Sequence, residues 1–280
     1  MEISRNLSLI MKGYAILFIV LHNFLHLQEF GLVQENEMRF DICRTYEMFN
    51  QILNPSLSLF GHMLSFIGWT GVPLFVFLSG YGLCKKYLNS GGVNQYIKHS
   101  YLKLFFLMLP GAVVFISYYL LNGEWKIVFV KLLAMTMLNN LVPPFITTLG
   151  SVAPPYWYFG MTLQLYILFL VVKKYKNRKK LLFLTFVITP ILLQLLLVPE
   201  LVPDQTMLNY IRKNSIGWLP FFYLGVIANS AHVSNMKIEV KVLIPILLIS
   251  YIILFMMNLN YILWLFMPLM AIIIFIFFHY

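Results

Sequence analysis

Two histidines near the start of the chain have the residue type and spacing best suited to chemistry. His22 and His26 are four residues apart in an apolar stretch and share one face of a helix. His22 lies about 14 residues, or about 21 Å of helix rise, beyond Ser8, which places it within a membrane. A neutral imidazole at that depth can accept a proton or act as a nucleophile. For His26 we favour an interfacial side chain bonded to its neighbours.

The second long apolar stretch is rich in small residues. They include Gly68, Gly71, Pro73, Gly80 and Gly82. One interpretation is close packing of membrane helices through small residues. The other is a thin, bent segment that lets a substrate chain approach the backbone. Ser79 lies near the inner end, but an isolated serine usually bonds its own helix backbone. No serine–histidine–acid order is evident, so a nucleophilic Ser79 is not favoured.

Four lysines accompany the segment YIKHSYLK (96–103). They are Lys85, Lys86, Lys98 and Lys103. Their simplest role is to set the orientation in the membrane and to contact lipid headgroups. The functional alternative is a cradle for the phosphates of a nucleotide-bearing molecule, in which lysines act as point charges. We interpret KKYKNRKK (173–180) as a solvated inner loop.

The elements that position these residues must be membrane helices. The chain is 60% hydrophobic and 11% charged, with a mean hydropathy of +0.81, whereas soluble domains are about 45–50% apolar and about 25% charged. Six stretches lack charged residues altogether. They are 48–84, 104–123, 132–172, 181–199, 214–236 and 242–280. About 20 apolar residues cross a bilayer as a helix, and the solid apolar runs exclude the alternating strands of a barrel.

We therefore predict an all-α, polytopic transmembrane helix bundle of about 8–10 spans. The expected spans are 8–27, 57–81, 104–121, 157–172, 181–198, 216–231, 242–257 and 261–278. Segment 127–149 is expected to be re-entrant or interfacial. With that choice fourteen basic residues lie in inner loops and five in outer ones, as the positive-inside rule requires.

The net charge of +10 follows from this orientation. Nucleic-acid binding is not favoured, because the basic residues lie in short loops between spans. We assign no metal site. The first apolar stretch is expected to be a retained span, since no small-residue cleavage site follows it.

Five segments in order resemble the acyltransferase-3 family of bacterial membrane proteins. They are KGYAILFIVLHNF (12–24), GVPLFVFLSGY (71–81), YIKHSYLKLFFLMLP (96–110), YWYFGMTLQLY (156–166) and LPFFYLGVIA (219–228). The resemblance covers nearly the whole chain and implies one integral membrane acyltransferase-like domain, 1–280. The family typically has about ten spans, so an alternative left open is that the chain lacks a final helix.

The resemblance implies an enzyme of the bacterial inner (cytoplasmic) membrane. Such enzymes take an acyl group, often acetyl, from acyl-CoA inside and transfer it to a hydroxyl of a sugar or glycan outside. Acyl-CoA would be a co-substrate, and no bound cofactor is expected. His22 corresponds to the family histidine, which would handle the proton or the acyl group, and Lys12 to the basic residue before it.

The same resemblance places Ser79 in the second signature and Lys98 or Lys103 at the basic start of the third helix. Two departures stand out. Lys12 and His22 have nine residues between them rather than ten, and Gln164 stands where some members carry glutamate. An offset of ten residues turns about 80° away from the starting face of a helix.

Our leading hypothesis is an O-acyltransferase that modifies a cell-surface glycan or a lipid-linked sugar. Two alternatives remain at this stage: a transporter or exporter of lipid-linked sugar, and a non-catalytic membrane scaffold. Ion-coupled transporters commonly place acidic residues inside the membrane, whereas the ten acidic residues here map to loops or span ends. No paired broken helices indicate an inverted repeat.

Overall fold

The computed structural model describes residues 5–27, 32–34, 36–86, 92–141, 156–228 and 240–277, and these residues contain helices and turns but no strand. The helices are α1 (Arg5–Leu27), α2 (Ile42–Leu53), α3 (Leu59–Ile67), α4 (Gly71–Lys86), α5 (Val93–Leu121), α6 (Trp125–Met135), α7 (Tyr156–Lys174), α8 (Lys179–Phe183), α9 (Thr189–Leu195), α10 (Thr206–Arg212), α11 (Ser215–Ala228), α12 (Val240–Met257) and α13 (Tyr261–Phe277). A 3₁₀ turn, Gly68–Thr70, joins α3 to α4, and a π-helical turn, Leu184–Ile188, joins α8 to α9.

Four helical segments are long and apolar enough to cross a membrane. Within the described residues they are Asn6–Leu25, Leu59–Cys84, Val93–Leu121 and Tyr156–Lys174. They coincide with the first four predicted spans, and α8–α9, α11, α12 and α13 occupy the other four predicted ranges. The prediction of an all-α, polytopic membrane protein is therefore confirmed.

Two helices extend beyond what hydropathy indicates. Helix α5 begins at Val93 rather than at 104, because its first turns carry Lys98 and Lys103 and are helical without being apolar. Helix α2 lies between the first two predicted spans, where the Asp41 side chain accepts a 2.9 Å hydrogen bond from the Cys43 backbone N–H. Such an N-cap satisfies one of the amides that a helix start leaves unbonded.

Segment 127–149 begins with the short helix α6. Its 11 residues rise about 16 Å, which is less than the hydrocarbon core of about 30 Å. The helix ends before Thr136, Met137 has a left-handed φ of 60°, and a 3₁₀ turn follows at Asn139–Leu141. The end of α6 at this point agrees with a segment that does not cross as a single helix. Residues 142–149 lie outside the described part, so the re-entrant course stays a prediction.

The chain divides into two compact units. Unit 1 comprises Met1–Gly82, Val198–Glu200 and Phe221–Tyr280, and unit 2 comprises Leu83–Leu197 and Leu201–Pro220. Each unit is helical within its described residues and packs its own interior. Whether the two form the single predicted domain stays a prediction.

In unit 1, α4 and the later part of α11 touch backbone to backbone. A Cβ atom added at Gly80 would overlap the Phe222 carbonyl oxygen, and one added at Gly225 would overlap the Phe77 carbonyl oxygen. The two glycines therefore form a reciprocal contact, which is how small residues bring membrane helices together. It joins two of the segments on which the family resemblance rests.

Replacing Gly225 with alanine is expected to lower the thermal stability of the purified protein. The added methyl group must push α11 away from the Phe77 carbonyl, and overpacking of this kind costs about 1–3 kcal/mol. The matched control is Gly82→Ala on α4, where a Cβ meets no atom within 4 Å. Equal melting temperatures for the two variants would contradict the backbone contact.

Unit 2 is built on α5, α6 and α7. Their buried side chains form one apolar cluster, comprising Leu104, Met108, Ala112, Ala134, Met137, Tyr156 and Leu163. Large apolar side chains on α5, including Phe106, Leu107 and Val114, remain exposed. An outward apolar surface on a helix of this length is expected when lipid is the surrounding medium.

Candidate active site

The site in unit 1 begins where α1 crosses α3 and the 3₁₀ turn. A Cβ atom at Gly68 would lie 2.7 Å from the Cβ of His22, and one at Gly71 would lie 2.6 Å from the Ala15 carbonyl oxygen. Only glycine allows the helices to approach this closely. The packing interpretation accounts for these two glycines, because α1 fills the space beside them.

This approach buries the ring of His22, which is 5% exposed. Its Nδ1 atom lies 2.8 Å from the backbone carbonyl oxygen of Ser65 on α3. A carbonyl oxygen can only accept a hydrogen bond, so Nδ1 carries the proton and donates it. In the neutral ring Nε2 then carries the lone pair, and this nitrogen is the one able to accept a proton or attack an electrophile.

Ser65 is held by the segment between α1 and α2, of which residues 32–34 and 36–41 are described. Its hydroxyl donates a 2.8 Å hydrogen bond to the Val33 carbonyl oxygen. The Val33 backbone N–H in turn donates a 3.1 Å hydrogen bond to Nδ1 of His62 on α3. Because His62 accepts at Nδ1, its own ring proton lies on Nε2. Both polar groups of the Val33 backbone are thus bonded to α3, one turn apart.

Asn36, in the same segment, is bonded to α13 and to the turn between α12 and α13. The Asn36 carbonyl accepts a 2.7 Å hydrogen bond from the Trp264 indole N–H, and the Asn36 amide group donates to Asn258 over 3.4 Å. Thr45 on α2 donates to the Asn258 carbonyl oxygen over 3.1 Å. These groups are all buried, and the segment is therefore held by hydrogen bonds at both Val33 and Asn36.

The acceptor behind Nδ1 matters chemically. A partner at this nitrogen fixes the tautomer and the ring orientation, the role that a buried carboxylate plays in serine hydrolases. When Nε2 takes up a proton, the ring becomes a cation, and a hydrogen bond to a charged donor is about twice as strong as a neutral one. The arrangement therefore supports both the neutral and the protonated forms of His22.

Other residues predicted from the sequence lie on several helices. Lys12 is half-buried on α1, ten positions before His22, which is about 15 Å along the axis. Ser79 is half-buried on α4.

Lys98 and Lys103 are exposed on α5. Five positions turn the helix by about 140°, so the two side chains leave α5 on different faces. The side chains of Lys85 and His26 lie outside the described residues.

Gln164 of α7, the residue in place of a family glutamate, belongs to a polar cluster of unit 2. Its amide nitrogen donates a 2.8 Å hydrogen bond to Asn214, while its carbonyl oxygen accepts one of 2.9 Å from the Ser215 backbone. Asn214 also donates to the Asn140 carbonyl oxygen over 2.8 Å. Gln164 thus donates and accepts at once, and an ionised glutamate could only accept.

Three residues of the unit 1 site were not identified from the sequence as a group: Val33, His62 and Ser65. His62 and Ser65 are three residues apart and therefore share a face of α3, and Gly68 continues that spacing. This pattern was the available signal. In the described residues no three His, Cys, Asp or Glu side chains cluster as metal ligands would.

The fold defines a class: a multi-pass, all-helical membrane protein whose first span buries a histidine with a fixed tautomer. A family model described as "Acyltransferase domain" matches residues 9–280, and the chain belongs to this acyltransferase-3 family. The resemblance seen in the sequence is thereby confirmed. Membership implies a membrane acyltransferase activity. No curated protein and no solved structure matches the chain.

Proposed function

We propose that this protein is an O-acyltransferase that moves an acyl group, most simply acetyl, from acyl-CoA to a hydroxyl. The acceptor is a cell-surface glycan or a lipid-linked sugar, and the membrane is the bacterial inner (cytoplasmic) membrane. The observation that carries the proposal is the buried His22 ring, whose Nδ1–H is bonded to the Ser65 carbonyl at 2.8 Å. An ionisable ring kept inside a membrane span is expected to have a function.

His22 can serve the reaction in two ways, both through Nε2. As a general base, it removes the proton of the acceptor hydroxyl while the oxygen attacks the thioester carbonyl. The C–S bond then breaks, and the imidazolium returns the proton to the leaving thiolate. As a nucleophile, Nε2 attacks the thioester, the C–S bond breaks and CoA leaves as its thiolate. The acceptor hydroxyl then attacks the acyl-imidazolium, the bond from the acyl carbon to Nε2 breaks, and the hydroxyl proton passes to solvent.

Donor binding is assigned to the basic residues near the predicted inner face. Lys98 and Lys103, with Lys85, would contact the phosphates of acyl-CoA. The parts that the sequence assigns to Ser79 and Lys12 stay predictions. Because Lys98 and Lys103 leave α5 on different faces, a single phosphate group would be held by one of them rather than by both.

Comparison of surface glycans from cells with and without the protein tests the reaction class directly. The expected result by mass spectrometry is a glycan heavier by one acyl unit only when the protein is present. Vesicles that move intact lipid-linked sugar without acyl-CoA would instead favour a transporter. A protein that neither binds acyl-CoA nor changes any glycan would favour a scaffold.

Removing the hydroxyl of Ser65 is expected to slow acyl transfer without preventing folding. Ser65→Ala leaves the buried Val33 carbonyl without this donor, at a cost of about 1–3 kcal/mol in stability. Without this bond the Ser65 backbone is held less firmly, and its carbonyl oxygen orients His22 less well. Small misplacements of catalytic groups reduce rates by about ten- to a hundredfold. We expect kcat to fall and the KM for acyl-CoA to change little.

The matched control is Ser58→Ala, an exposed serine at the start of the same helix that makes no capping bond to it. Its kcat should equal that of the wild-type protein. A Ser65→Ala protein with unchanged kcat would show that the Val33 contact does not position the histidine.

A further inference from the structure

A second buried basic group lies in unit 2. Lys131 on α6 is 3% exposed. Its Nζ atom lies 5.4 Å from the ring centroid of Phe115, 5.8 Å from that of Tyr119 and 5.4 Å from that of Tyr156. These three rings form an aromatic box around the ammonium group, in the distance range of cation–π interactions.

Within the aromatic box, the hydroxyls of Tyr119 and Tyr156 are the side-chain hydrogen-bonding groups that accompany the ammonium group. Among the described residues Lys131 makes cation–π contacts and no hydrogen bond or ion pair, although an ammonium group has three donors to place. The hydroxyl of Tyr156, also 3% exposed, is buried without a hydrogen-bond partner. Buried donors of this kind usually indicate an unseen water, ion or ligand.

The sequence near the aromatic box offers no counter-charge. No acidic residue occurs in α5 or anywhere in 132–172. Glu124, just before α6, is seven residues from Lys131, or about 10 Å of helix rise. The sequence around the aromatic box therefore leaves both donors without a nearby negative charge, which a bound ligand can supply.

The surroundings indicate which molecule. Phe115 is 37% exposed, and Trp125 and Phe129 on α6 are exposed as well. One wall of the aromatic box therefore belongs to the apolar outer surface of the unit. Aromatic side chains of this kind collect at the level of lipid headgroups.

We propose that Lys131 and Tyr156 bind the phosphate group of a membrane lipid. The ammonium and the phenol donate to phosphate oxygens, and the lipid chains lie along the exposed apolar face of α5 and α6. This site does not depend on the proposed acyl transfer and would be present if that function were wrong.

Native mass spectrometry of the purified protein with dioleoylphosphatidylglycerol tests this site. We expect Lys131→Met to lower the affinity about ten- to a hundredfold, because a hydrogen bond to a charged group is lost. Tyr156→Phe removes one neutral donor and should lower it about two- to tenfold. The matched control is Lys126→Met, an exposed lysine on the same helix, which should bind as the wild type does.

Two further measurements decide between ligands. Dioleoylglycerol, which has the same chains without phosphate, should bind weakly, and equal binding would overturn the proposal. Millimolar inorganic phosphate should not displace the lipid, and displacement would show that free phosphate is the ligand.

Melting temperature provides the folding check. Replacing a buried charge by an apolar side chain of similar size is commonly neutral or stabilising, so Lys131→Met should melt no lower than wild type. If it fails to fold, Tyr156→Phe still tests the site, since it removes a single oxygen. Unchanged lipid affinity in the folded variants would overturn the proposal.

Discussion

Replacing His22 with alanine is expected to abolish acyl transfer while the protein still inserts into the membrane. General base catalysis alone contributes about 10²–10⁴ in rate, and loss of a nucleophile would remove the whole covalent route. The ring is buried against α3, but an alanine there removes no contact that α1 needs to span the bilayer. The measurement is acyl transfer in membranes that contain equal amounts of each protein.

The control for this variant is His26→Ala, the second histidine of the same helix, which should retain most of the activity. A His22→Ala protein with full activity would reject the proposed mechanism. The two roles of His22 can then be separated with labelled acyl-CoA in the absence of acceptor. Label recovered on the His22 peptide indicates an acyl-imidazole, whereas general base catalysis leaves the protein unlabelled.

The second large effect is expected from a single methyl group at Gly68. In Gly68→Ala the new Cβ would lie 2.7 Å from the Cβ of His22 and 3.1 Å from the Phe18 carbonyl oxygen. The crossing of α1 over α3 must open, which lengthens the bond between His22 and Ser65. A shift of about 1 Å in a reacting group reduces rates by about a hundredfold. Stability should fall by about 1–3 kcal/mol.

Gly13→Ala provides the matched control on α1, since a Cβ there meets no atom within 4 Å. It should keep wild-type activity and stability. If Gly68→Ala is as active as Gly13→Ala, the close crossing does not position the histidine. Loss of activity in Gly68→Ala together with normal insertion would link the glycine to the reaction rather than to membrane assembly.

The sequence predicts the apolar helices well and draws attention to His22, because both leave a signal in residue type. Lipid imposes long charge-free stretches, and an imidazole within one of them is conspicuous. Helix α2 is not indicated by a charge-free stretch, because it is short and about half of its residues are polar. Helix α5 extends past its apolar part because charged residues are compatible with a helix outside the hydrocarbon.

The environment of His22 was not predictable in the same way. Its hydrogen-bond acceptor is the backbone carbonyl of Ser65, and every residue has such a group, so no side-chain type identifies it. The choice depends on where two helices cross, and Gly68 fixes that point only once the partner helix is known. The role of Val33 could not be predicted from its side chain either, because Val33 contributes through its backbone N–H and C=O.

The attachment of Val33 and Asn36 has a consequence for chimeric proteins. The segment between α1 and α2 is bonded to α3 through Val33 and, through Asn36, to α13 and to the turn before it. Grafting this segment from a related protein would therefore disturb the packing of these helices as well as the grafted residues. A chimera is expected to fold well only when it also carries the α3 serine and histidine that bond the backbone of Val33.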